Sequence, residues 1–402
     1  MRIPAAARLW REIERSFPER PFAIEFWDGT AVPATREGGP TFLVRSPRAV
    51  AHLLRAPGQL GLGRAYVSGE LEVDDLDALI QVIDRWKPPD LNARRRIRLI
   101  LAAAHAIGAI LLPAAPAAEL RLRGARHSRA RDARAVRHHY DVANEFFALF
   151  LDRSMTYSCA FFSRDGRSLE SAQQAKLELT CRKLRLEPGQ RLLDVGCGWG
   201  SFAIHAAARH GVEVVGITLS EPQAAFARAR VRDAGLDGRV SIRVLDYRDL
   251  TGERFDAVAS VGMVEHVGIK HIDAYAGHLA RLMRPGGRLL NHGIARLRHA
   301  DPKAGAFLER YVFPDAEPLH LSRVLLALER AGFVTEHVEE FGDDYAETLR
   351  HWARRLDDHR AEAARIAGEE RVRVWRLYLR AARNAFESGF MSIYQVQSRL
   401  GR

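Results

Sequence analysis

The chain has 402 residues, of which 47% are hydrophobic and 28% charged, and a formal net charge of +11. That length accommodates two or three domains with their own cores, and the composition excludes disordered, collagen-like and disulfide-dense classes. The positive balance, carried mostly by arginine, favours an anionic partner, either nucleic acid or an acidic membrane surface, unless it only mirrors a GC-rich genome.

In chain order, Trp10, Glu12 and Glu14 interrupt any signal-peptide pattern, so a cytoplasmic location is expected. Residues 1–90 read as a small α+β domain. Phe22–Trp27 and Thr41–Val44 are strand-like, with turns at Asp28-Gly29 and Gly38-Gly39-Pro40. Pro47–Leu54 opens a helix with Ser46 as N-cap. Gly61–Leu71 then leads into a helical stretch over Leu76–Trp86. No catalytic constellation falls in this region, which suits lipid binding or dimerisation.

Residues 91–134 read as a helical and basic linker. Arg94, Arg95, Arg96 and Arg98 precede an apolar run from Leu99 to Ala118. Pro113 and Pro116 cut its usable helix to about 14 residues, short of the ~20 that span a bilayer, so a buried or interfacial helix is expected. Arg121, Arg123, Arg126, Arg129, Arg131 and Arg134 follow. They read either as a solvated linker or as a contact for anionic head groups, at roughly 1 kcal/mol per arginine.

From Ala135 to Arg402 the pattern changes to alternating strands and helices. Leu192, Leu193 and Val195 end a buried strand, Gly196-Cys197-Gly198 turns tightly, and a helix follows from about Gly200. Val212–Ile217, Val240–Leu245, Phe255–Val261 and Arg288–His292 are further strands, the last after a Pro285-Gly286-Gly287 turn. This order implies a parallel sheet covered on both faces, with ligands at the carboxyl ends of its strands. The glycines depart from the G-x-G-x-x-G spacing of a dinucleotide loop, and Thr218-Leu219-Ser220 replaces the acid that would hold a ribose. Asp194 ahead of the glycines suits a cationic ligand. Cys159, Cys181 and Cys197 lack C-x-x-C spacing, which argues against zinc and against disulfides. Residues 350–402 read as helices carrying Trp352, Trp375, Tyr378, Phe386, Phe390, Tyr394 and the apolar Met391, which pack a core or line an acyl-chain tunnel.

Asp194–Gly200 resembles motif I of class I methyltransferases that bind S-adenosylmethionine. Arg137-His138-His139-Tyr140-Asp141, Tyr157-Ser158-Cys159, Val264-Glu265-His266, Tyr311–Pro314 and Phe341–Tyr345 extend the likeness. Together they resemble cyclopropane-fatty-acyl-phospholipid synthases and the related mycolic acid cyclopropane synthases. The resemblance implies a class I Rossmann-like α/β fold with a smaller N-terminal α+β domain. It places the cofactor at Tyr157, Ser158, Gly196, Gly198, Thr218, Leu219, Gln223, Asp246 and Tyr247. It also implies a bicarbonate ion held by Cys159, Glu265, His292, Tyr345 and the main chain of Ile294, with Tyr311 a second tyrosine candidate. Arg248 stands where short mycolate relatives often carry an acid, which unsettles the adenine side.

The chemistry accounts for these residue types. An alkene is a weak nucleophile and needs an activated methyl donor held in line. Methyl transfer leaves a carbocation that must be shielded from water, and Phe161, Phe162, Tyr247 and Phe313 are candidates to stabilise it. A base must then remove a proton so that the ring closes. Glu265 is expected to orient that base. The implied substrate is a membrane phospholipid with unsaturated acyl chains, met by a homodimer bound peripherally to the inner face of the cell membrane, with no nucleic acid partner. Rival expectations are a C-methyltransferase giving a methyl- or methylene-branched chain, and a non-catalytic lipid-binding protein on the same scaffold.

Overall fold

A computed structural model describes residues 5–109, 112–120, 128, 129, 131, 132, 134, 143–162, 168–298 and 305–401. The Arg137-His138-His139-Tyr140-Asp141 motif and Arg121, Arg123 and Arg126 lie outside the described residues. Two compact units form: one from residues 1–120, 305–312 and 368–384, the other from 121–304, 313–367 and 385–402.

In the first unit, β1 (Ala23–Phe26), β2 (Ala31–Val32), β3 (Thr41–Val44) and β4 (Leu71–Val73) form a sheet in the order β2-β1-β3-β4. The helix Pro47–Arg55 starts as expected, with Ser46 Oγ accepting from Arg48 N at 3.2 Å. The Gly61–Leu71 lead-in folds as a second helix, Gln59–Val67. Its glycines are there for close approach: a Cβ at Gly61 would lie 2.1 Å from the carbonyl of Ala56, and one at Gly63 would lie 2.3 Å from Phe307. Helix Ala93–Ile107 buries Ala102, Ala103, Ala106 and Ile107 in this unit's core. No helix among the described residues is long and apolar enough to cross a membrane.

The unit's extent differs from the sequence-based division at 90 and 134, because distant segments supply its core. Arg373, 2% exposed, donates to the carbonyls of Tyr66 and Leu71 and to Glu72 Oε1. Tyr311 stacks on Phe307, and its hydroxyl donates to Glu119, which pairs with the buried Arg64.

In the second unit, β5 (Arg191–Val195) has its apolar residues buried on both faces. Their alternation divides two cores. Leu193 and Val195 pack with Tyr275, Leu279 and Leu328, whereas Leu192 packs with Leu177, Phe202 and Ala224. β6 (Glu213–Thr218), β7 (Val240–Val244), β8 (Phe255–Val261) and β9 (Met283–Arg296) run parallel to it in the order β7-β6-β5-β8-β9. Beyond β9, to which the short β10 (Leu319–His320) adds in parallel, lies β12 (Met391–Leu400), antiparallel to it, and then β11 (Phe333–Glu340), which is antiparallel to β12 and so runs with the parallel strands. This is the expected Rossmann-like sheet, with one reversed strand, β12, next to its β11 edge.

Two local expectations are corrected. The end of the chain is not helical throughout: residues 391–400 form β12, which pairs with β9 over nine positions from Met391 to Arg399. A helix reading of aromatic spacing there overlooked the β-branched and alternating character of Ser392–Ser398. The Pro285-Gly286-Gly287 turn does not precede a strand but lies inside β9, as a register shift against β8 between Phe255 and Ala257.

Candidate active site

The glycine turn follows directly on β5. Gly196, Gly198 and Gly200 have φ of +79°, +53° and +81°, values that side chains disfavour. The N–H groups of Gly196 and Cys197 both donate to the carbonyl of Ile217 at 2.9 Å, which ties the turn to the end of β6. The helix Ser201–His210 then leaves the turn. A cavity opens here, at the carboxyl ends of the parallel strands, and all nine residues expected to contact the cofactor line it: Tyr157, Ser158, Gly196, Gly198, Thr218, Leu219, Gln223, Asp246 and Tyr247.

The cavity carries charge at two depths. Asp194 is 2% exposed, its Oδ2 has no protein partner, and burial pushes its carboxyl up to about 7 against the pull of Lys176. Lys176 donates to Ser158 Oγ at 2.9 Å, and burial lowers its ammonium to about 8. Nearer the rim, Arg248 grips Asp246 through Nε and Nη2 at 2.9 and 2.6 Å, so the doubtful position and the expected one form a single group.

The expected bicarbonate ligands form a second, buried cluster. Cys159 follows Ser158 and Glu265 precedes His266, both of which line the cavity. Glu265 Oε1 accepts from the backbone N–H of Ile294 at 2.8 Å, and its Oε2 is buried without a partner. Phe341 joins the rest: its ring stacks on His292, and its carbonyl accepts from Cys159 Sγ at 3.7 Å and from Tyr345 N at 3.0 Å. Trp352 stacks on Tyr157 and meets Tyr345 edge-on, so both clusters share one aromatic wall. Tyr311 is engaged with Glu119 in the first unit.

A hydrogen-bond chain assigns the His292 proton. Lys183 can only donate, and its Nζ lies 2.6 Å from Gln395 Oε1. The amide nitrogen of Gln395 therefore faces His292 Nδ1, at 3.1 Å, and donates to it. Nδ1 accepts, so the ring proton sits on Nε2, which is buried without a partner. Burial, with Lys176 and Lys183 nearby, lowers the imidazole to about 3 and keeps it neutral. Burial drives Glu265 the other way, up to about 7. The cluster thus presents one unfilled N–H donor and one unfilled carboxylate acceptor. Buried polar groups of this kind are normally satisfied, so both atoms are candidates for contact with a ligand.

The four aromatic candidates scatter. Tyr247 lines the cavity, Phe161 meets Phe341 edge-on, Phe162 stacks on His351, and Phe313 packs on His266. Sequence reasoning missed Lys176, Thr180, Met263, His266, His271 and Asp132 in the cavity wall and Gln395 behind His292. Lys176 and Thr180 were findable, since four-residue spacing puts them on one face of the helix Leu169–Leu184. Gln395 was not, because only the pairing of β12 with β9 sets it opposite His292.

The family model of mycolic acid cyclopropane synthetase matches residues 127–396. A probable fatty acid methyltransferase of Mycobacterium tuberculosis is 42% identical over 88% of this chain and 85% of its own length. The cyclopropane-fatty-acyl-phospholipid synthase of Escherichia coli is 37% identical over 84% of this chain and 82% of its own. Among solved structures, the mycolic acid cyclopropane synthase CmaA1, complexed with SAH and CTAB, is 31% identical with a TM-score of 0.63, covering 66% of this chain and 98% of that one. With the glycine turn, the cavity and the sheet order, these matches place the chain in the mycolic acid cyclopropane synthetase family, as an S-adenosylmethionine-dependent enzyme of the cyclopropane synthase and fatty acid methyltransferase group.

Proposed function

We propose that the enzyme adds a methylene across the cis double bond of an unsaturated acyl chain in a membrane phospholipid, giving a cyclopropane ring, with bicarbonate held at Glu265 and His292. The observation that carries this reading is the pair of buried, unfilled groups, His292 Nε2–H and Glu265 Oε2. Bicarbonate has anionic oxygens for the first and a hydroxyl for the second, so donor and acceptor both match. When bound, S-adenosylmethionine supplies an electrophilic methyl and bicarbonate supplies a base.

The protein's own groups then have distinct tasks. Asp194 provides the negative charge at the end of β5 that favours a sulfonium cofactor. Ile294 N–H fixes Oε1 of Glu265, so that Oε2 is free to orient the anion. Gln395 keeps the His292 proton on Nε2. Cys159 is fully buried and its thiol is pushed up by that burial, so it acts as a neutral neighbour rather than a nucleophile. The buried cluster and the rings of Phe161, Phe341 and Tyr345 exclude the water that would trap a carbocation on the lipid.

Phospholipid as the substrate is supported by the name of the Escherichia coli relative. Peripheral attachment to the inner face of the cell membrane is supported by the helix Ala93–Ile107, where Ile97, Ile100 and Leu101 are each more than half exposed beside the exposed Arg94, Arg95, Arg96 and Arg98. The homodimer belongs to the proposal through the family resemblance. A second reading, a methyl- or methylene-branched product, is favoured by the relative named a probable fatty acid methyltransferase. Both share the lipid cation and differ in which proton leaves.

The test is incubation with liposomes of unsaturated phospholipid and methyl-labelled S-adenosylmethionine, with and without added bicarbonate. A gain of one CH₂ with loss of the double bond supports cyclopropanation. A gain of CH₂ with the alkene retained supports the branched product, and absence of label from lipid overturns both.

A further inference from the structure

We propose that Glu178, Cys181, His205 and His210 bind a thiophilic divalent metal ion such as zinc, which pins the helix Leu169–Leu184 to the helix Ser201–His210. The sulfur of Cys181 and one ring nitrogen from each histidine lie within 4.8 Å of one another. Glu178 Oε2 stands 3.2 Å from Nε2 of both imidazoles, and although it lies outside the three-residue group, rotation of its side chain would bring it in as the fourth ligand. Glu178 and Cys181 are three residues apart and share one face of their helix, and the two histidines come from the last two turns of the other. The sulfur is buried, while the side chains of His205, His210 and Glu178 are 10%, 19% and 40% exposed, which leaves an entry from solvent.

The donor set selects the ion. Thiolate, two imidazoles and one carboxylate suit a tetrahedral, borderline-soft cation and do not suit magnesium or calcium, which take oxygen ligands. Zinc bonds of about 2.0–2.3 Å would need the ligand atoms to draw together by about 1 Å, within reach of side-chain rotation. Binding replaces the Cys181 thiol proton, which passes to water, so two negative ligands balance the ion's charge. Arg182, 3.9 Å from Glu178 Oε1, engages the other carboxylate oxygen and leaves Oε2 to the site. None of the four residues lines the cofactor cavity, yet the helix Ser201–His210 begins at the glycine turn that does. The ion would brace that turn from behind.

The cysteine spacing argued against zinc because the ligands sit on two helices separated by a strand and a turn, with no C-x-x-C or H-x-x-x-H pattern. The plain alternative is a metal-free bridge in which Glu178 accepts from both histidines.

The experiment takes untagged, reduced, chelator-treated full-length protein and titrates it with cobalt(II), then zinc. The expected result is one equivalent of cobalt per chain, with a thiolate-to-cobalt charge-transfer band and intense tetrahedral d–d bands, all displaced by zinc, and a zinc-dependent rise in unfolding midpoint. Cys181→Ser should lose the charge-transfer band. His210→Gln, at a partly exposed position, should bind cobalt at least tenfold more weakly, since losing even an outer-shell partner costs roughly 10–100-fold. Its retained binding of S-adenosylhomocysteine would report an intact fold. Absence of stoichiometric cobalt binding, a charge-transfer band that survives in Cys181→Ser, or unchanged affinity in His210→Gln would each overturn the proposal.

Discussion

Replacing Glu265 by Gln separates what this carboxylate does for the reaction from what it costs the fold. Gln keeps the oxygen that accepts from Ile294 N–H and removes the charge at Oε2, the atom buried without a partner. Burial raises the Glu265 carboxyl from its ordinary 4.5 to about 7, so the folded state resists ionising it. A carboxyl raised in this way leaves stability intact below about pH 4.5 and takes it away as the pH climbs through about 7. The interval corresponds to about 3 kcal/mol, fully expressed above neutrality. Glu265→Gln should therefore unfold later than wild type at pH 8 in bicarbonate-free buffer, and the two midpoints should converge near pH 4.5. If the carboxylate also orients the base, the same variant should lose roughly 100- to 1,000-fold in turnover, the scale of one preorganised polar group in a dry site. The assays are thermal unfolding across pH and label transfer to liposomes. Equal midpoints at pH 8 would refute the burial argument, and retained turnover would refute the role.

Three further outcomes follow from other parts of the molecule. Asp194→Asn should weaken S-adenosylmethionine binding about 10- to 100-fold by calorimetry, the worth of a charge-assisted contact. In wild type the affinity should fall as the pH drops below about 7 and Asp194 takes up a proton, and in the variant that dependence should vanish. Arg373→Met should destabilise the first unit by about 3–5 kcal/mol in denaturant, because it strips a buried guanidinium from the carbonyls of Tyr66 and Leu71 and from Glu72. An unchanged first transition would show that these contacts are incidental. Ile100→Asp should reduce partition onto anionic liposomes about tenfold or more, the worth of one buried aliphatic side chain, with turnover on detergent-dispersed lipid retained. Undiminished partition would take this helix face out of the membrane reading.

The features legible in the residues alone are those that rest on short-range physics. The alternation of Leu192, Leu193 and Val195, the glycines at 196, 198 and 200 and the cap at Ser46 each encode local backbone geometry, and each appears in the structure as expected. The nine cavity residues were legible through the family resemblance; most of them fall at strand ends and first helical turns, where a parallel sheet places its ligand, whereas Tyr157 and Ser158 come from an irregular segment.

Tertiary structure alone decided the rest. Whether residues 391–400 make a strand depends on an open edge of β9 about a hundred residues earlier, and with it comes the Gln395 contact that sets the His292 proton. Segments 305–312 and 368–384 join the first unit because Phe307 and Arg373 find partners there, at Gly63, Tyr66 and Leu71. The Cys181, His205 and His210 cluster exists only where two helices pack side by side. Local periodicity reports which face of an element is apolar. It carries no information about which distant element that face will meet, and the protonation of His292 and the grouping of Glu178 with the histidines are set by those meetings.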